Sequence, residues 1–348
     1  MKEIDPEKYE LFCAYIYDKR YKEFPLYEQA KEKGIPAYRI MIGSPYSPLL
    51  IPKIRKLMRD LDIGIIHTHG YKSDIAGALA GIGKNVKKIT TVHGFVETDE
   101  KLKIYNCLNL YAFRFFDQVI TVNQPQKDYL IQYGVNGEKI TVIHNGVDPE
   151  EFSRDRVDSD IRKELGISYD AHVLLYLGRL SREKGAHNLV PAVKQIVKEF
   201  PDVVLLIAGT GPEKDNLEMN VHDERLGANI CFLGYRKDNI NLLGESDILI
   251  LPSRTEGIPN SVLEAMSMEL PVVATKVGGT PEIMDDGKEG FVVPPEKPAE
   301  LANAVIKVLK NPLLAKKMGK SGRERVLREL SFSMRMRKIE DVYDQLLK

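Results

Sequence analysis

Short apolar runs rich in β-branched residues alternate with helical patterns along the whole 348-residue chain. Six runs precede Pro149 and six follow Asp170, and a polar stretch without a strand pattern separates the two series. Strands that alternate with helices are typical of parallel sheets with crossover helices. A chain of this length is also large enough for two hydrophobic cores. The pattern therefore predicts an α/β protein with two domains, each built on a parallel sheet.

The predicted boundaries follow from the two series of strands. The first domain covers residues 1–150, the second covers 151–330, and a final helix at 331–348 is expected to cross back toward the first domain. The predicted strands are 10–16, 37–42, 63–67, 88–92, 118–122 and 140–143, then 172–177, 203–208, 229–233, 248–251, 272–274 and 290–293. Ligands of open parallel sheets bind outside the carboxyl ends of the strands. The segments that follow these strands are therefore where functional residues are expected.

The composition excludes several classes of protein. Lys plus Arg equals Asp plus Glu at 50 each, so the net charge gives no reason to expect a nucleic-acid partner. The three cysteines are widely spaced and form no disulfide framework, which suits a reducing cytosol. The longest apolar runs are of strand length, and the acidic, Pro-containing start is unlike a signal peptide. A cytoplasmic protein, with contact at the inner face of a membrane left open, is expected.

A basic turn directly follows the apolar run 172–177. Its residues Arg179 and Lys184 lie between Gly178 and Gly185. Arg offers a planar fork of donors and Lys a mobile point charge, and both suit a phosphate. The turn is thus a candidate phosphate site, and a solvated basic loop is the alternative, because Lys and Arg are common on turns.

Two carboxylates follow the run 248–251. Glu256 lies in a Gly/Pro loop, and Glu264 lies in the helix predicted to start at Asn260 or Ser261. Carboxylates accept hydrogen bonds from sugar hydroxyls, and the free N–H groups of a helix start can face a phosphate or sugar oxygen. Ser261 and Glu264 also match a capping box, in which Glu264 would only reach back to the backbone.

The chain resembles the family-4 (group 1) retaining glycosyltransferases of the GT-B fold. The resemblance rests on the motifs at residues 144–148, 178–185, 253–265 and 277–282 and on their order along the chain. The resemblance covers nearly the whole chain and implies two facing Rossmann-like domains with a donor site in the cleft. It implies a hexosyltransferase that takes its sugar from a nucleoside diphosphate sugar, with UDP as the expected nucleotide. The acceptor would be a hydroxyl of a glycan or lipid-linked molecule, as in cell-surface polysaccharide synthesis, and no cofactor or metal would be needed.

The resemblance also implies roles for single residues. Arg179 and Lys184 would hold the diphosphate, Glu264 would bind the ribose hydroxyls, and Glu256 would lie against the donor sugar. His93, at the end of the run 88–92, would lie near the reaction centre and contact the donor sugar. The sugar would be contacted by backbone groups of the loop residues Gly257, Ile258, Pro259 and Asn260. The nucleobase would be contacted by the turn that consists of Gly234, Tyr235 and Arg236.

Alternative interpretations exist for His93, for the pair His67 and His69, and for the aromatic segment 101–116. His93 could instead be satisfied within its loop. His67 and His69 share one face of a strand end and could suggest a metal, but the sequence shows no third ligand. The segment 101–116 mixes aromatic and basic residues, so it is either an interfacial helix that touches a membrane or a core helix with a charged outer face.

The chain differs from the family pattern at its start. Members usually begin with a strand, a Gly-rich loop and a helix, whereas the first strand here corresponds to the usual second one. We expect the sequence to begin at an internal Met of a longer protein, since the donor-site residues are intact.

The predicted reaction follows a front-face route, in which Arg179, Lys184 and a helix N-terminus stabilise the leaving diphosphate. A double displacement with Glu256 as nucleophile is the lesser alternative. Two other functions remain open: a nucleotide-sugar epimerase of the same fold, and an inactive nucleotide-sugar binding protein.

Overall fold

The computed structural model describes residues 3–18, 25–42, 47, 49–94 and 107–348. The chain divides into two compact units: unit 1 comprises Met1–Ile143 and Arg335–Lys348, and unit 2 comprises His144–Met334. Residues 144–150, placed in the first domain by the sequence prediction, thus fall in unit 2. The reason is that the Val147 N–H donates to the Leu330 carbonyl, while the Phe332 N–H donates to the Val147 carbonyl.

Unit 2 is built on one six-stranded parallel sheet with the strand order β12-β11-β10-β7-β8-β9. Its strands are β7 (Val173–Leu177), β8 (Val204–Ala208), β9 (Ile230–Gly234), β10 (Ile248–Leu251), β11 (Val272–Thr275) and β12 (Gly290–Val293). Every residue of β7, β10 and β11 is buried, as expected for strands covered by helices on both faces. Burial on both faces of the sheet explains why these strands are uninterrupted apolar runs in the sequence.

The helices of unit 2 connect these strands. They are Ile161–Leu165, Leu189–Ile196, Lys214–Asp223, Asn239–Gly244, Asn260–Ser267, Thr280–Ile283, Pro298–Leu309 and Pro312–Arg325. Local sequence sets several of their ends. Gly166 takes the left-handed conformation (φ 66°) that ends the first helix, and the Asn311 side chain caps the last one by accepting from the Leu314 N–H.

Unit 1 contains two parallel sheets. One pairs β1 (Cys13–Asp18) with β2 (Ala37–Ile42), and the other has the order β3-β4-β5-β6. The second sheet consists of β3 (Ile65–His69), β4 (Lys87–Val92), β5 (Gln118–Thr121) and β6 (Ile140–Val142). β1 begins at Cys13 rather than at the predicted residue 10. Its partner Ala37 follows Pro36, which has no N–H to extend the ladder.

The helices of unit 1 are Pro25–Glu32, Leu50–Asp60, Tyr71–Gly81 and Gln124–Gln132, and residues 107–112 are also helical. The C-terminal helix Phe332–Leu347 belongs to unit 1 from Arg335 onward. Its Ile339 and Val342 are buried in a cluster with Ile89, Ile120 and Ile143. The end of the chain is therefore part of the hydrophobic core of unit 1.

Within the described part of the chain, no helix has both the length and the apolar character required to cross a bilayer.

Candidate functional site

Loops at the carboxyl ends of neighbouring strands pack tightly against one another in unit 2. A Cβ on Gly185, in the loop after β7, would lie 1.8 Å from the Pro252 carbonyl oxygen in the loop after β10. A Cβ on Gly278, after β11, would lie 1.9 Å from the Glu256 carbonyl oxygen. Such distances admit only glycine, since real Cβ atoms never approach a backbone oxygen so closely. Three motifs that are distant in sequence are therefore held together by close backbone approach.

Lys184 and Glu256 form the charged pair at this edge of the sheet. The Lys184 Nζ donates to both carboxylate oxygens of Glu256 at 2.8 Å, and the Ser253 Oγ donates to Oε1 at 2.7 Å. The Glu256 side chain is 5% exposed and the Lys184 side chain is 32% exposed. Lys184 therefore neutralises a buried carboxylate while part of its own surface remains open to solvent.

Arg179 lies on the same loop with its side chain open to solvent. The side chain is 61% exposed and lies 4.0 Å from the Glu183 carboxylate. The fully buried Tyr176 fixes the backbone here, because its Oη donates to the Arg179 carbonyl at 2.8 Å. The guanidinium can thus reach an anion without breaking a buried contact.

The helix Asn260–Ser267 starts directly after the Glu256 loop, with Pro259 at its N-cap position. Ser261 lies inside the first turn rather than at the N-cap, so the capping-box interpretation of Ser261 and Glu264 is wrong. Glu264 instead accepts a hydrogen bond from the Asn239 side chain. Burial, with a contribution from the nearby Glu151, raises the pKa of Glu264 to about 7.

The turn after β9 has two polar side chains with different surroundings. The Tyr235 ring is 72% exposed. Arg236 is held by Asp238 and Glu164, with N–O distances of 2.6 and 2.7 Å, and these hydrogen bonds raise the pKa of its guanidinium. Gly234 takes a positive φ of 67°, which allows the chain to turn at this point.

Unit 1 has a separate cluster of three histidine side chains near the carboxyl ends of β3 and β4. The His67 Nδ1 lies 2.6 Å from the Tyr343 Oη, and its Nε2 lies 2.8 Å from the Thr91 Oγ1. The His69 ring stacks on His67, and its Nδ1 lies 3.4 Å from the His93 Nε2. His93 is therefore part of a chain of three imidazoles rather than an isolated loop residue.

Burial and positive charge keep these imidazoles neutral. Burial, together with the neighbouring His93 and the positive charge of Arg335, lowers the pKa of His69 to about 4. The pKa values of His67 and His93 are lowered for the same reasons. The positive charge of Arg335, on the C-terminal helix, thus acts on the cluster, which sequence reasoning missed.

Metal binding by His67 and His69 has little geometric support. Both ring nitrogens of His67 are engaged by hydroxyl groups, and no group of three or more His, Cys, Asp or Glu side chains among the described residues is arranged to hold a metal ion.

The aromatic and basic segment has both buried and exposed aromatic side chains. Residues 101–106 lie outside the described residues. Of the remainder, Phe113 and Phe116 are fully buried, whereas Leu108, Tyr111 and Phe115 are exposed. The Arg114 guanidinium lies 5.6 Å from the centre of the Tyr111 ring.

The structure therefore brings Lys184 and Glu256 into contact and places Arg179 on the same loop. Sequence reasoning did not assign roles to Ser253, Tyr176 or Asn239. Ser253 lay within a recognised motif, so its contact with Glu256 was within reach, but nothing in the sequence indicates that Asn239 meets Glu264.

A parallel α/β fold with paired charges at the carboxyl edge of the sheet is typical of enzymes that bind phosphorylated ligands. Two family models match the chain: Glycosyl transferases group 1 over residues 157–325, and Glycosyltransferase Family 4 over residues 13–151. The chain belongs to the group 1 glycosyltransferases and is an enzyme of that kind. The predicted family and the predicted α/β fold are both confirmed.

Individual relatives agree with this assignment. The chain is 30% identical to the UDP-Gal:alpha-D-GlcNAc-diphosphoundecaprenol alpha-1,3-galactosyltransferase of Escherichia coli, over 83% of this chain and 77% of that protein. It is 27% identical to the N-acetyl-alpha-D-glucosaminyl L-malate synthase of Bacillus anthracis, over 91% of this chain and 84% of that protein. Among solved structures, Anabaena Alr3699/HepE in complex with UDP has a TM-score of 0.85 at 21% identity and covers 99% of this chain and 94% of that one.

Proposed function

We propose that this chain is a retaining hexosyltransferase that moves a sugar from a UDP-linked donor to a hydroxyl of a glycan or lipid-linked acceptor. Two observations on relatives support this. The printed name of the Escherichia coli relative contains UDP-Gal and a diphosphoundecaprenol acceptor. Structures of Alr3699/HepE, which share this fold, contain UDP or UDP-glucose.

The observation that carries the proposal is the Lys184–Glu256 pair beside the exposed Arg179. Arg179 offers an exposed positive charge to a departing diphosphate, and Lys184, although paired with Glu256, keeps a third N–H donor on its Nζ. Fixed donors aimed at developing charge are the largest contribution to many catalysed rates. Glu264 and the exposed Tyr235 are proposed to hold the ribose and the base, and the backbone of residues 257–260 to contact the sugar.

The state of Glu256 favours the front-face route. The acceptor oxygen forms a bond to the anomeric carbon as the bond between that carbon and the diphosphate oxygen breaks. The departing diphosphate oxygen takes the proton of the acceptor hydroxyl. A carboxylate that acts as a nucleophile needs a free oxygen, whereas Oε1 and Oε2 of Glu256 already accept three hydrogen bonds. Glu256 is therefore proposed to position Lys184 and contact the sugar.

His93 is proposed to contact the donor sugar. Its Nε2 is engaged with His69, so its Nδ1 is the nitrogen that can bond to a sugar hydroxyl. Replacement of His93 by Ala is expected to lower kcat/KM about tenfold, the effect of one lost hydrogen bond. An unchanged kcat/KM would remove His93 from this role.

The test is to incubate the enzyme with UDP-sugars and an acceptor, and to examine the intact protein by mass spectrometry. We expect transfer with retention, no sugar attached to the protein, and a loss of about 100-fold in kcat for Glu256→Gln. A glycosyl adduct on Glu256 would establish double displacement instead. Incubation with UDP-sugar alone should give slow hydrolysis; interconversion of sugars would identify an epimerase, and binding without turnover an inactive protein.

We also propose that the exposed side chains Leu108, Tyr111 and Phe115, beside Arg114, contact an anionic lipid surface. An apolar face with an adjacent cation is the pattern of an interfacial helix. Sedimentation with phosphatidylglycerol-containing vesicles should fall for the double variant Tyr111→Ser/Phe115→Ser. The control Leu313→Ser removes an exposed apolar side chain of unit 2 and should have no effect. Equal sedimentation of both variants would contradict the proposal.

A further inference from the structure

A buried hydroxyl group contacts the charge pair of unit 2. The Ser253 side chain lies shortly after β10 and is fully buried, and its Oγ donates to Oε1 of Glu256 at 2.7 Å. A hydrogen bond that solvent does not reach is electrostatically stronger than one in water, and no water molecule competes for its acceptor. Ser253 is therefore a lasting partner of the Glu256 carboxylate.

The backbone around Ser253 is held by the neighbouring loop and strand. The Thr275 Oγ1, at the end of β11, donates to the Ser253 carbonyl. The backbone N–H groups of Arg254 and Thr255 both donate to the Glu183 carbonyl, at 2.9 and 3.3 Å. A donor on a backbone fixed in this way also fixes the orientation of the group that accepts from it.

The orientation of the Glu256 carboxylate decides where Lys184 can point. The Lys184 Nζ lies 2.8 Å from both carboxylate oxygens, so two of its three N–H groups are directed at Glu256. Rotation of the carboxylate about its Cγ–Cδ bond would break this symmetric contact, and the Ser253 hydrogen bond to Oε1 opposes that rotation. The third N–H of Lys184 is thereby directed away from Glu256, on a side chain that is 32% exposed.

We propose that Ser253 is a positioning residue for the departure of the diphosphate. Its hydrogen bond to Glu256 aims the third N–H of Lys184 at the terminal phosphate. As the bond between the anomeric carbon and the phosphate oxygen breaks, both bonding electrons stay on that oxygen, so a donor fixed beforehand stabilises the new charge without reorganisation. The inference rests on the proposed function and deepens it, because Ser253 would act through Lys184 without touching the substrate.

The choice of ligand separates positioning from general support of the fold. UDP contains the terminal phosphate that Lys184 would contact, whereas UMP has the same base and ribose but lacks that phosphate. A misdirected Lys184 should therefore weaken the binding of UDP and spare that of UMP. General loss of packing in unit 2 would weaken the binding of both nucleotides.

The first experiment measures the binding of UDP and UMP to the full chain by isothermal titration calorimetry, without acceptor or turnover. Ser253→Ala should lower the affinity for UDP about tenfold, the effect of one hydrogen bond to a charged group, and leave the affinity for UMP unchanged. Ser253→Cys keeps a weak donor of similar size, so its UDP affinity should lie between those of Ser253→Ala and the wild type. This variant also serves if Ser253→Ala does not fold.

Ser246 provides a matched control at the other end of β10. Its side chain is also buried, and its Oγ donates to the Leu242 carbonyl at 2.6 Å. Ser246→Ala thus removes a buried hydroxyl of the same unit that contacts neither Lys184 nor Glu256, and it should change neither affinity.

A double-mutant cycle tests whether Ser253 acts through Lys184. Lys184→Gln removes the charge but keeps two N–H donors for Glu256, so none remains for the phosphate. Ser253→Ala should then have no further effect on UDP affinity. In Arg179→Gln, by contrast, the whole effect of Ser253→Ala on UDP affinity should persist, because Arg179 does not contact Ser253 or Glu256 in this role.

Three binding results would overturn the proposal: unchanged UDP affinity in Ser253→Ala, equal losses for UDP and UMP, or additive effects of Ser253→Ala and Lys184→Gln. The expected binding pattern in a chain that transfers no sugar would contradict the proposed function alone. No binding of UDP by the wild type would contradict both.

Kinetics of sugar transfer add a further test. Because the charge on the phosphate oxygen develops only in the transition state, Ser253→Ala should lower kcat about tenfold and leave the KM for the donor unchanged. A raised KM with an unchanged kcat would contradict the positioning role of Ser253.

Discussion

The polar clusters of the two units are of different kinds. In unit 2, the carboxylate of Glu256 is neutralised by Lys184 and further bonded by Ser253. In unit 1, His67, His69 and His93 contact one another, and their pKa values are lowered by burial and by the positive charge of Arg335. A charge pair presents ionic groups to a ligand, whereas neutral imidazoles present uncharged donors and acceptors. The two clusters therefore differ in the kind of polar group that they offer.

The supporting structures differ in the same way. The charged loops of unit 2 follow strands of one continuous sheet and are interlocked by glycines. The cluster of unit 1 combines the ends of β3 and β4 with a side chain from the C-terminal helix. Rigid backbone contacts thus hold the first site, and side-chain contacts hold the second.

The largest expected effect comes from breaking the charge pair of unit 2. Lys184→Met removes a cation from the leaving group and leaves Glu256 buried without its counter-ion, so kcat should fall by about 100- to 1000-fold. Steady-state kinetics with a UDP-sugar donor measure this loss. The control Lys198→Met removes an exposed lysine of the same unit and should retain wild-type kcat; a small effect at Lys184 would refute its assigned role.

The next effect tests whether backbone packing holds the loops of unit 2. Gly185→Ala would force a Cβ to within 1.8 Å of the Pro252 carbonyl oxygen, and we expect a loss of about 4 kcal/mol in the free energy of unfolding. Gly166→Ala has nearly the same φ but open space around the Cβ, so it should cost about 1 kcal/mol. Urea denaturation measures both. Equal losses would show that φ alone matters.

A third prediction concerns the pH dependence of unit 2. The pKa of Glu264 is raised to about 7 from its ordinary value of 4.5, so the folded protein binds this proton more tightly than the unfolded chain. Stability should therefore decrease by at most about 3 kcal/mol as pH rises from 4.5 to 7. Glu264→Gln should flatten this slope in urea melts without ligand. A slope that persists in the variant would assign it to another group.

The smallest expected effect is a pH dependence of stability in unit 1, with a sign opposite to that caused by Glu264. The pKa of His69 is lowered to about 4 from 6.5, so the unfolded chain binds the proton more tightly and stability is lost as pH falls through this range. His69 is exposed enough that solvent screening reduces the contribution to about 1 kcal/mol. His69→Gln should remove this part of the acid sensitivity, whereas His222→Gln, at an exposed site, should not.

Much of the fold could be predicted because its signals are local. Runs of buried β-branched residues mark strands wherever helices cover both faces of a sheet. All twelve predicted strands are present, with β1 and β3 shifted by two or three residues toward the C-terminus. The loops that contain Arg179, Lys184 and Glu256 could be located for the same reason, since each directly follows a buried strand.

The sequence alone determined the alternation of strands and helices, the family, and the loops that hold the charged residues, because each depends on neighbouring residues in the chain. Only the tertiary structure decided which side chains meet across large sequence separations. Asn239 reaches Glu264, and Tyr343 contacts His67, more than 200 residues away. Such pairs depend on strand order and on how a helix packs, and no local pattern of residues encodes either.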